Sequence, residues 1–236
     1  MRLDIYLVTK YNLTRSKSVD LIKRGFVIVN DKAVTKQAYN VKELDKVVLA
    51  SNFKYVSRGG YKLESFIKKT NVDFAGKIIL DIGCSNGGFS HFFLQNGIKK
   101  IVAVDIGYNI LDRSLQKDEK VVFIDKFDAT NKKDFDNLPV QKFDIISVDL
   151  TGVKLNKVLL FLPNFLNSGG QIIALFKPHY EGGKGIVSKQ KLDKLLSAFE
   201  EWTLKYFVIL KKARSELRGG SKSSGNIEWF YLLKPK

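Results

Sequence analysis

Apolar positions recur along this chain with two different periods, and the change of period divides it. In the first fifty residues Leu3, Tyr6 and Leu7 fall on one helical face, and Val19, Leu21 and Ile22 mark a second helix. Thr14 stands where an N-cap is expected before Arg15 to Arg24, and Gly25 stands where a helix stops. Three β-prone runs follow, Phe26–Val29, Ala33–Val34 and Lys46–Leu49, the first two separated by a turn at Asn30-Asp31. The pattern predicts a small α+β domain over residues 1–50. Arg15, Lys17, Lys23 and Arg24 form a basic face on its second helix.

Residues 51–60 hold little apolar material and end in Ser57-Arg58-Gly59-Gly60, which predicts a linker. From residue 61 a helix carrying Leu63, Phe66 and Ile67 leads into alternating strands and helices. The strands are expected at Ile78–Ile82, Ile101–Ile106, Val121–Ile124, Phe143–Asp149 and Ile172–Phe176. The helices are expected near Gly88–Asn96, Ile110–Leu115, Lys132–Leu138, Leu155–Leu166 and Lys189–Leu204. Near-continuous apolar strands are buried on both faces, so 61–236 is expected to be a Rossmann-like α/β domain with a mostly parallel sheet. Two further strands, Tyr206–Leu210 and Trp229–Leu233, bring the sheet to seven. Lys211–Asn226 between them is too short for a crossover helix and suits an antiparallel hairpin.

Charge changes the picture more than composition does. Hydrophobic residues make up 44% of the 236, and no apolar run approaches the roughly 18 residues that span a bilayer. Lys and Arg number 40 against 24 Asp and Glu, a net +16 that favours a polyanionic partner. The single cysteine, Cys84, leaves no disulfide framework or cysteine metal site, and His91 and His179 lie in no metal-ligand or triad spacing, so no metal is expected. Met1–Tyr6 lacks the plan of a secretory signal, which makes the cytoplasm the expected location.

The run Asp81-Ile82-Gly83-Cys84-Ser85-Asn86-Gly87-Gly88-Phe89 lies between the first strand of the sheet and the next helix, where open parallel sheets hold their ligands. A phosphate-binding Walker loop needs a lysine after its last glycine, and Phe89 stands there. A dinucleotide fingerprint wants glycine at position 85, where the chain has Ser85. There remain Asp81 opening the turn, Gly83, Gly87 and Gly88, and Asp105 ending the next strand 22 residues after Gly83. Asp105, with Ile106 beside it, is placed to accept the ribose hydroxyls of an adenosine. Asp81 and the loop backbone through Phe89 can face an amino acid's ammonium, and Asp128 beyond the third strand can meet the adenine amino group. Those demands describe S-adenosylmethionine, a zwitterion with a sulfonium and no phosphate.

Four charged residues end or open elements that the sheet would gather: Lys62, Asp149, Lys177 and Glu228. Charged groups there face a partly desolvated cleft and are unusual unless paired or functional. The runs RLDIYLV and LTRSKSVDLIKRGFVIVN resemble the S-four-type RNA-binding domain, over about one fifth of the chain. RGGYKL, DIGCSNGGF, AVDIGYNIL, LFKPHYEGGKG and GNIEWFY resemble motifs of the TlyA family, ribosomal RNA 2′-O-methyltransferases that join such a domain to an FtsJ-like catalytic domain. The likeness covers essentially the whole chain. It implies that Lys62, Asp149, Lys177 and Glu228 are a tetrad around the target ribose. It also implies that Arg2, Arg15, Lys17, Lys23, Arg24 and Arg58 meet ribosomal RNA.

A ribose hydroxyl is a weak nucleophile at neutral pH, so a lysine beside it acts as a neutral base or as a cation that stabilises the forming alkoxide. Lys177 is assigned the base-like role. Lys62 would lower its pKa while Asp149 and Glu228 would raise it, and the sequence leaves the balance open. The chain departs from the family after the tetrad aspartate, reading Leu150-Thr151-Gly152-Val153-Lys154-Leu155 where Ser-Phe-Ile-Ser-Leu is common. That change bears on target specificity. Arg214, Arg218, Ser221, Lys222, Ser223 and Ser224 make a basic segment that reads either as a track for RNA phosphate or as an ordinary solvated loop. Two alternatives belong to other classes: a membrane-active cytolysin, matching the hemolysin label used in this family, and a non-catalytic RNA-binding protein on the same fold. Against the first, the sequence offers no spanning segment, long amphipathic hairpin or export signal.

Overall fold

The structure is a computed structural model that describes residues 1–23, 25–49, 54–182, 185–217 and 226–236. The chain forms two compact units, Met1–Lys54 and Tyr55–Lys236.

In the first unit α1 (Leu3–Tyr11) and α2 (Arg15–Lys23) accompany a small antiparallel sheet of order β2-β1-β3, made of Val27–Val29 (β1), Lys32–Ala33 (β2) and Val47–Leu49 (β3). Leu3, Leu7, Leu21, Ile22, Val27 and Val29 form its core. Thr14 Oγ1 accepts the Lys17 amide at 3.3 Å, so the expected cap is in place, and Gly25 leaves the helix at φ +74°. Among the described residues of this unit the one buried charge is Asp4, onto which Arg2 forks through Nε at 3.0 Å and Nη2 at 2.9 Å. The Arg2 hydrogen bonds hold the Asp4 carboxyl below the usual carboxylate range. Arg2 is therefore tied into the fold, with Arg15 3.9 Å from the same carboxylate. Lys23 is exposed, and Arg24 lies outside the described residues.

The second unit is a seven-stranded sheet of order β6-β5-β4-β7-β8-β10-β9. Ile78–Ile82 (β4), Lys100–Val104 (β5), Val121–Ile124 (β6), Phe143–Val148 (β7) and Leu166–Phe176 (β8) run parallel. Trp229–Pro235 (β10) is antiparallel to β8 and to Phe207–Arg214 (β9). Period-two alternation sends Ile79, Ile101, Ile145, Ile173 and Phe230 to one face, against Leu63 and Phe66 of α3 (Arg58–Ile67) and Phe93 of α4 (Gly88–Gln95). Leu80, Val102, Ile146 and Ala174 go to the other, which shares a core with Leu196 and Phe199 of α9 (Lys189–Tyr206).

Several boundaries differ from the sequence expectation, each for a local reason. The helix expected near Ile110 is only α5 (Arg113–Gln116), because Asp112 is its N-cap and accepts the Ser114 amide at 3.0 Å. The helix expected over Leu155–Leu166 is divided into α7 (Asn156–Leu159) and a 3-10 turn, Leu162–Phe165, which contains Pro163. Strand β8 then begins at Leu166 rather than Ile172, and β9 runs on to Arg214, taking the start of the expected connection into the sheet.

The linker reading of 51–60 is corrected over the residues described. Tyr55 and Val56 are buried at 2% and 7% exposure, and α3 already begins at Arg58. The glycines there serve packing. A Cβ on Gly60 would lie 2.3 Å from the Tyr55 ring, and one on Gly88 would lie 2.2 Å from Ser57 Oγ and 2.9 Å from the Gly60 amide nitrogen. The first turns of α3 and α4 thus meet backbone to backbone, which fixes where the next turn of α3 presents Lys62.

Asp81 is also corrected. It is fully buried on β4, accepting Ser90 Oγ of α4 at 2.6 Å and Ser147 Oγ of β7 at 2.7 Å, so it braces the loop from beneath instead of facing a ligand's ammonium. Burial pushes its pKa up to about 6, against the pull of the two hydroxyls.

Two predictions follow from these contacts. Gly88→Ala is expected to lower unfolding stability by about 1–3 kcal/mol in urea titrations. Adding Ser57→Ala leaves the backbone clash, so full rescue by that second change would refute the close-approach account. For Asp81, a folded-state pKa above the unfolded value favours the folded state below about pH 4 and penalises it above about pH 6, by roughly 3 kcal/mol. Asp81→Asn lacks that penalty. Its stability relative to the parent protein should rise between pH 4 and pH 7, and a pH-independent difference would contradict the buried-carboxylate reading.

Candidate active site

The loop after β4 owes its path to glycine. Gly83 has φ +79°, and a Cβ there would meet the Asp149 carbonyl oxygen at 2.6 Å, so the loop can pass this close to the end of β7 only without a side chain. Gly87, at φ +92°, sits against Leu111 and Leu115 with no room for a methyl. Ser85 is itself left-handed at φ +51°, a conformation that costs a non-glycine residue of order 1 kcal/mol. Its amide donates to Asp105 Oδ2 at 2.9 Å, while Asp105 Oδ1 accepts the Gly107 amide at 2.8 Å. Asp105 is thereby fixed at the end of β5, partly exposed, with lone pairs left for a further ligand.

Two apolar side chains beside it stand in water, Ile106 at 71% and Tyr108 at 69% exposure, with Lys126 Nζ 5.0 Å from the Tyr108 ring centre. Phe89 is buried against Phe230, so at this loop it can offer only its backbone. Asp128 spends one oxygen on the Thr130 amide and hydroxyl at 2.8 and 2.7 Å, bonds that hold its carboxyl below the ordinary range. A carboxylate with free lone pairs, an apolar surface next to it and a loop with no basic residue from Gly83 to Gly88 fit an adenosine joined to an amino acid better than a phosphate.

The four charged residues come together as two ion pairs. Lys62 Nζ meets Glu228 Oε2 at 2.5 Å with both side chains nearly out of solvent, and Lys177 Nζ meets Asp149 Oδ1 at 2.6 Å. Lys177 Nζ also reaches Thr151 Oγ1 at 3.5 Å, so the loop that departs from the family pattern touches this centre. Burial alone would lower the Lys177 pKa. The charge and hydrogen bond of Asp149, followed by the charge of Glu228, outweigh it and raise the pKa above the ordinary lysine value. The balance that the sequence left open thus falls to the ammonium.

His179 follows Lys177 on α8 (Pro178–Glu181), its ring centre 4.0 Å from that of Tyr180 and tilted 46° to it, with its pKa lowered by burial. His91 lies behind the loop, its Nδ1 accepting the Val56 amide at 3.0 Å. Arg58 opens α3 one turn before Lys62. Arg214 ends β9, and Arg218, Ser221, Lys222, Ser223 and Ser224 lie outside the described residues.

Sequence reasoning misread Asp81 and missed other groups that support these residues. Asp81 interrupts apolar β4, and Ser147, beside it in the register, is with Asp144 a polar position of β7, a readable sign of a buried pair. Glu181 and Asn226, in motifs noted only for Lys177 and Glu228, make hydrogen bonds between the segments around the site.

Comparison with known proteins identifies both domains and the family. Residues 55–226 match the FtsJ-like methyltransferase family and residues 1–47 the S4 domain. The 23S rRNA (cytidine-2′-O)-methyltransferase TlyA of Campylobacter jejuni is 30% identical over 98% of both chains. Hemolysin A of Brachyspira hyodysenteriae is 38% identical over 80% of this chain and 79% of its own. A solved structure from Streptococcus thermophilus, also carrying the hemolysin label, covers 100% of this chain and 88% of its own, with TM-score 0.76 and 29% identity. Among the described residues no helix is long and apolar enough to cross a membrane. With both domain types present and relatives matching end to end, the chain belongs to the TlyA family of FtsJ-like methyltransferases that carry an S4 domain.

Proposed function

We propose that this protein transfers a methyl group from S-adenosylmethionine to a ribose 2′-hydroxyl of ribosomal RNA, in the cytoplasm. The observation that carries the reading is the meeting of Lys62, Asp149, Lys177 and Glu228, from four separate elements, as two paired charges beside the Asp105 loop. When bound, the cofactor supplies an electrophilic methyl carbon on a sulfonium. Asp105 would accept its ribose hydroxyls and Ile106 would cover its adenine. The backbone of Gly83, Ser85, Gly87, Gly88 and Phe89 would line the amino-acid end, and Asp128 would take the adenine amino group. Arg15, Lys17, Lys23 and Arg24 of the S4 domain, together with Arg58, would hold the RNA through its phosphates, with Arg2 contributing beside Asp4.

The protein's part in the transfer is alignment and proton handling. Lys62 and Glu228 neutralise each other in a nearly dry setting, and Glu228 adds its field to that of Asp149 at Lys177. Lys177 would take the 2′-hydroxyl proton, but in the free protein its raised pKa keeps it an ammonium, so catalysis would draw on the minor neutral amine. That fraction grows about tenfold per pH unit until the pH reaches the pKa.

Single-turnover methylation with saturating RNA and cofactor is therefore expected to rise through pH 7–9 with a slope near one; a flat profile would transfer the lysine's role to charge stabilisation. Lys177→Ala should abolish 2′-O-methylation, by at least about 10²-fold, with cofactor binding still measurable by calorimetry. Full activity would remove Lys177 from the chemistry. Mapping of 2′-O-methyl positions in ribosomal RNA with and without the protein tests the substrate, and an unchanged map would reject the proposed function.

A further inference from the structure

Three stretches of backbone deliver Asp149, Lys177 and Glu228: 149–155, 177–182 with its short helix α8, and 226–228. Two side chains that take no part in the ion pairs bind these stretches to one another. Glu181, at the end of α8, accepts the Leu155 amide through Oε1 at 2.8 Å. The segments that start at Asp149 and Lys177 are thus pinned at both ends, by the 2.6 Å ion pair at the reactive end and by Glu181 to Leu155 at the other. Beyond Glu181 the chain reaches Gly185 and Val187, where Asn226 takes over. Its Oδ1 accepts the Val187 amide at 2.9 Å and its Nδ2 donates to the Gly185 carbonyl at 2.9 Å, the two-bond pattern of a strand neighbour made by one side chain. Two residues later comes Glu228, buried and paired with Lys62, its carbonyl accepting the Ser215 amide at 2.8 Å.

We propose that Glu181 and Asn226 are positioning residues for methyl transfer, a two-point clamp that acts at Glu181 and at Gly185 and Val187 and holds Lys177 in register with Asp149 on one side and with the Glu228 strand on the other. The inference deepens the proposed function and rests on it for the identity of the reaction. Its physical basis is the tolerance of the chemistry: a displacement of about 1 Å at a reacting group can cost on the order of 10²-fold in rate. Lys177 follows its strand and leads to glycines at 182 and 185, which supply no side chains to fix it. The Glu181 carboxylate of the segment itself and the Asn226 amide of a neighbouring one supply the missing anchors. The clamp also accounts for letters of LFKPHYEGGKG and GNIEWFY that the ion pairs leave unused, since Gly185 lies in one motif and Asn226 in the other.

The test uses the full chain with S-adenosylmethionine and ribosomal RNA, and the variants Glu181→Ala, Glu181→Gln and Asn226→Ala. Glu181→Ala and Asn226→Ala should each lower the single-turnover rate about tenfold or more, with the cofactor Kd and the RNA KM changed less than about threefold. Glu181→Gln keeps an oxygen for the Leu155 amide and should recover most of the rate. Unchanged rates, a loss confined to the RNA KM, or a Glu181→Gln variant as slow as the alanine would overturn the proposal. A second readout needs no substrate: NMR titration of isotopically labelled lysines should show the Lys177 pKa falling toward the ordinary value in both alanine variants, and an unmoved pKa would refute the clamp. If the parent protein leaves ribosomal RNA unmethylated, the proposed function fails, while the Lys177 titration still decides the clamp.

Discussion

The arrangement of this unit turns on keeping four charges at the edge of a hydrophobic sheet without leaving any of them alone. Lys62 and Glu228 are 9% and 3% exposed at the side chain, a depth at which each ion forfeits several kcal/mol of hydration that mutual attraction only roughly returns. Such a pair adds little to stability over apolar residues of the same volume, and removing one partner would strand the other. Its presence is therefore better explained by the field it sets than by the fold it holds. That field is not neutral toward its neighbour. Asp149, joined by Glu228, raises the Lys177 pKa, which makes this end of the cleft a place where a positive charge is comfortable and holds Lys177 as an ammonium in the free protein.

Much of this was legible in the sequence, because the strongest signals are those that a sheet imposes. Strands buried on both faces must be continuously apolar, so β4 to β8 and the helices between them could be located, along with Asp105, Asp149 and Lys177 at strand ends. The letters with two physical meanings were read less well. Ser57-Arg58-Gly59-Gly60 has the composition of a flexible linker, and glycine is also the residue that lets two helices touch; only the position of Gly88 in space decides between them. Asp81 opens a ligand loop and so looked ligand-facing, yet two serines nine and 66 residues away account for its oxygens, a pairing with no sequence period to reveal it. Ser85 shows the reverse. Its presence argued against a dinucleotide glycine, and the backbone there is left-handed all the same, so the side chain, rather than the turn, distinguishes this loop.

What no reading of periodicity could supply is the strand order, and the order explains why the tetrad closes. In a parallel sheet the ends of strands share one edge, which gathers Asp105, Asp149 and Lys177 without further design. Glu228 precedes its strand, and a parallel β10 would carry it to the opposite edge. The register pairs Trp229 with Phe176, so the antiparallel direction sets the residue before β10 beside the residue after β8. Insertion of β10 between β8 and β9 then aligns that end with α3, where the glycine contact with α4 has already aimed Lys62. One reversed strand and the contact of Gly60 with Gly88 thus complete a constellation that the parallel strands alone leave half built.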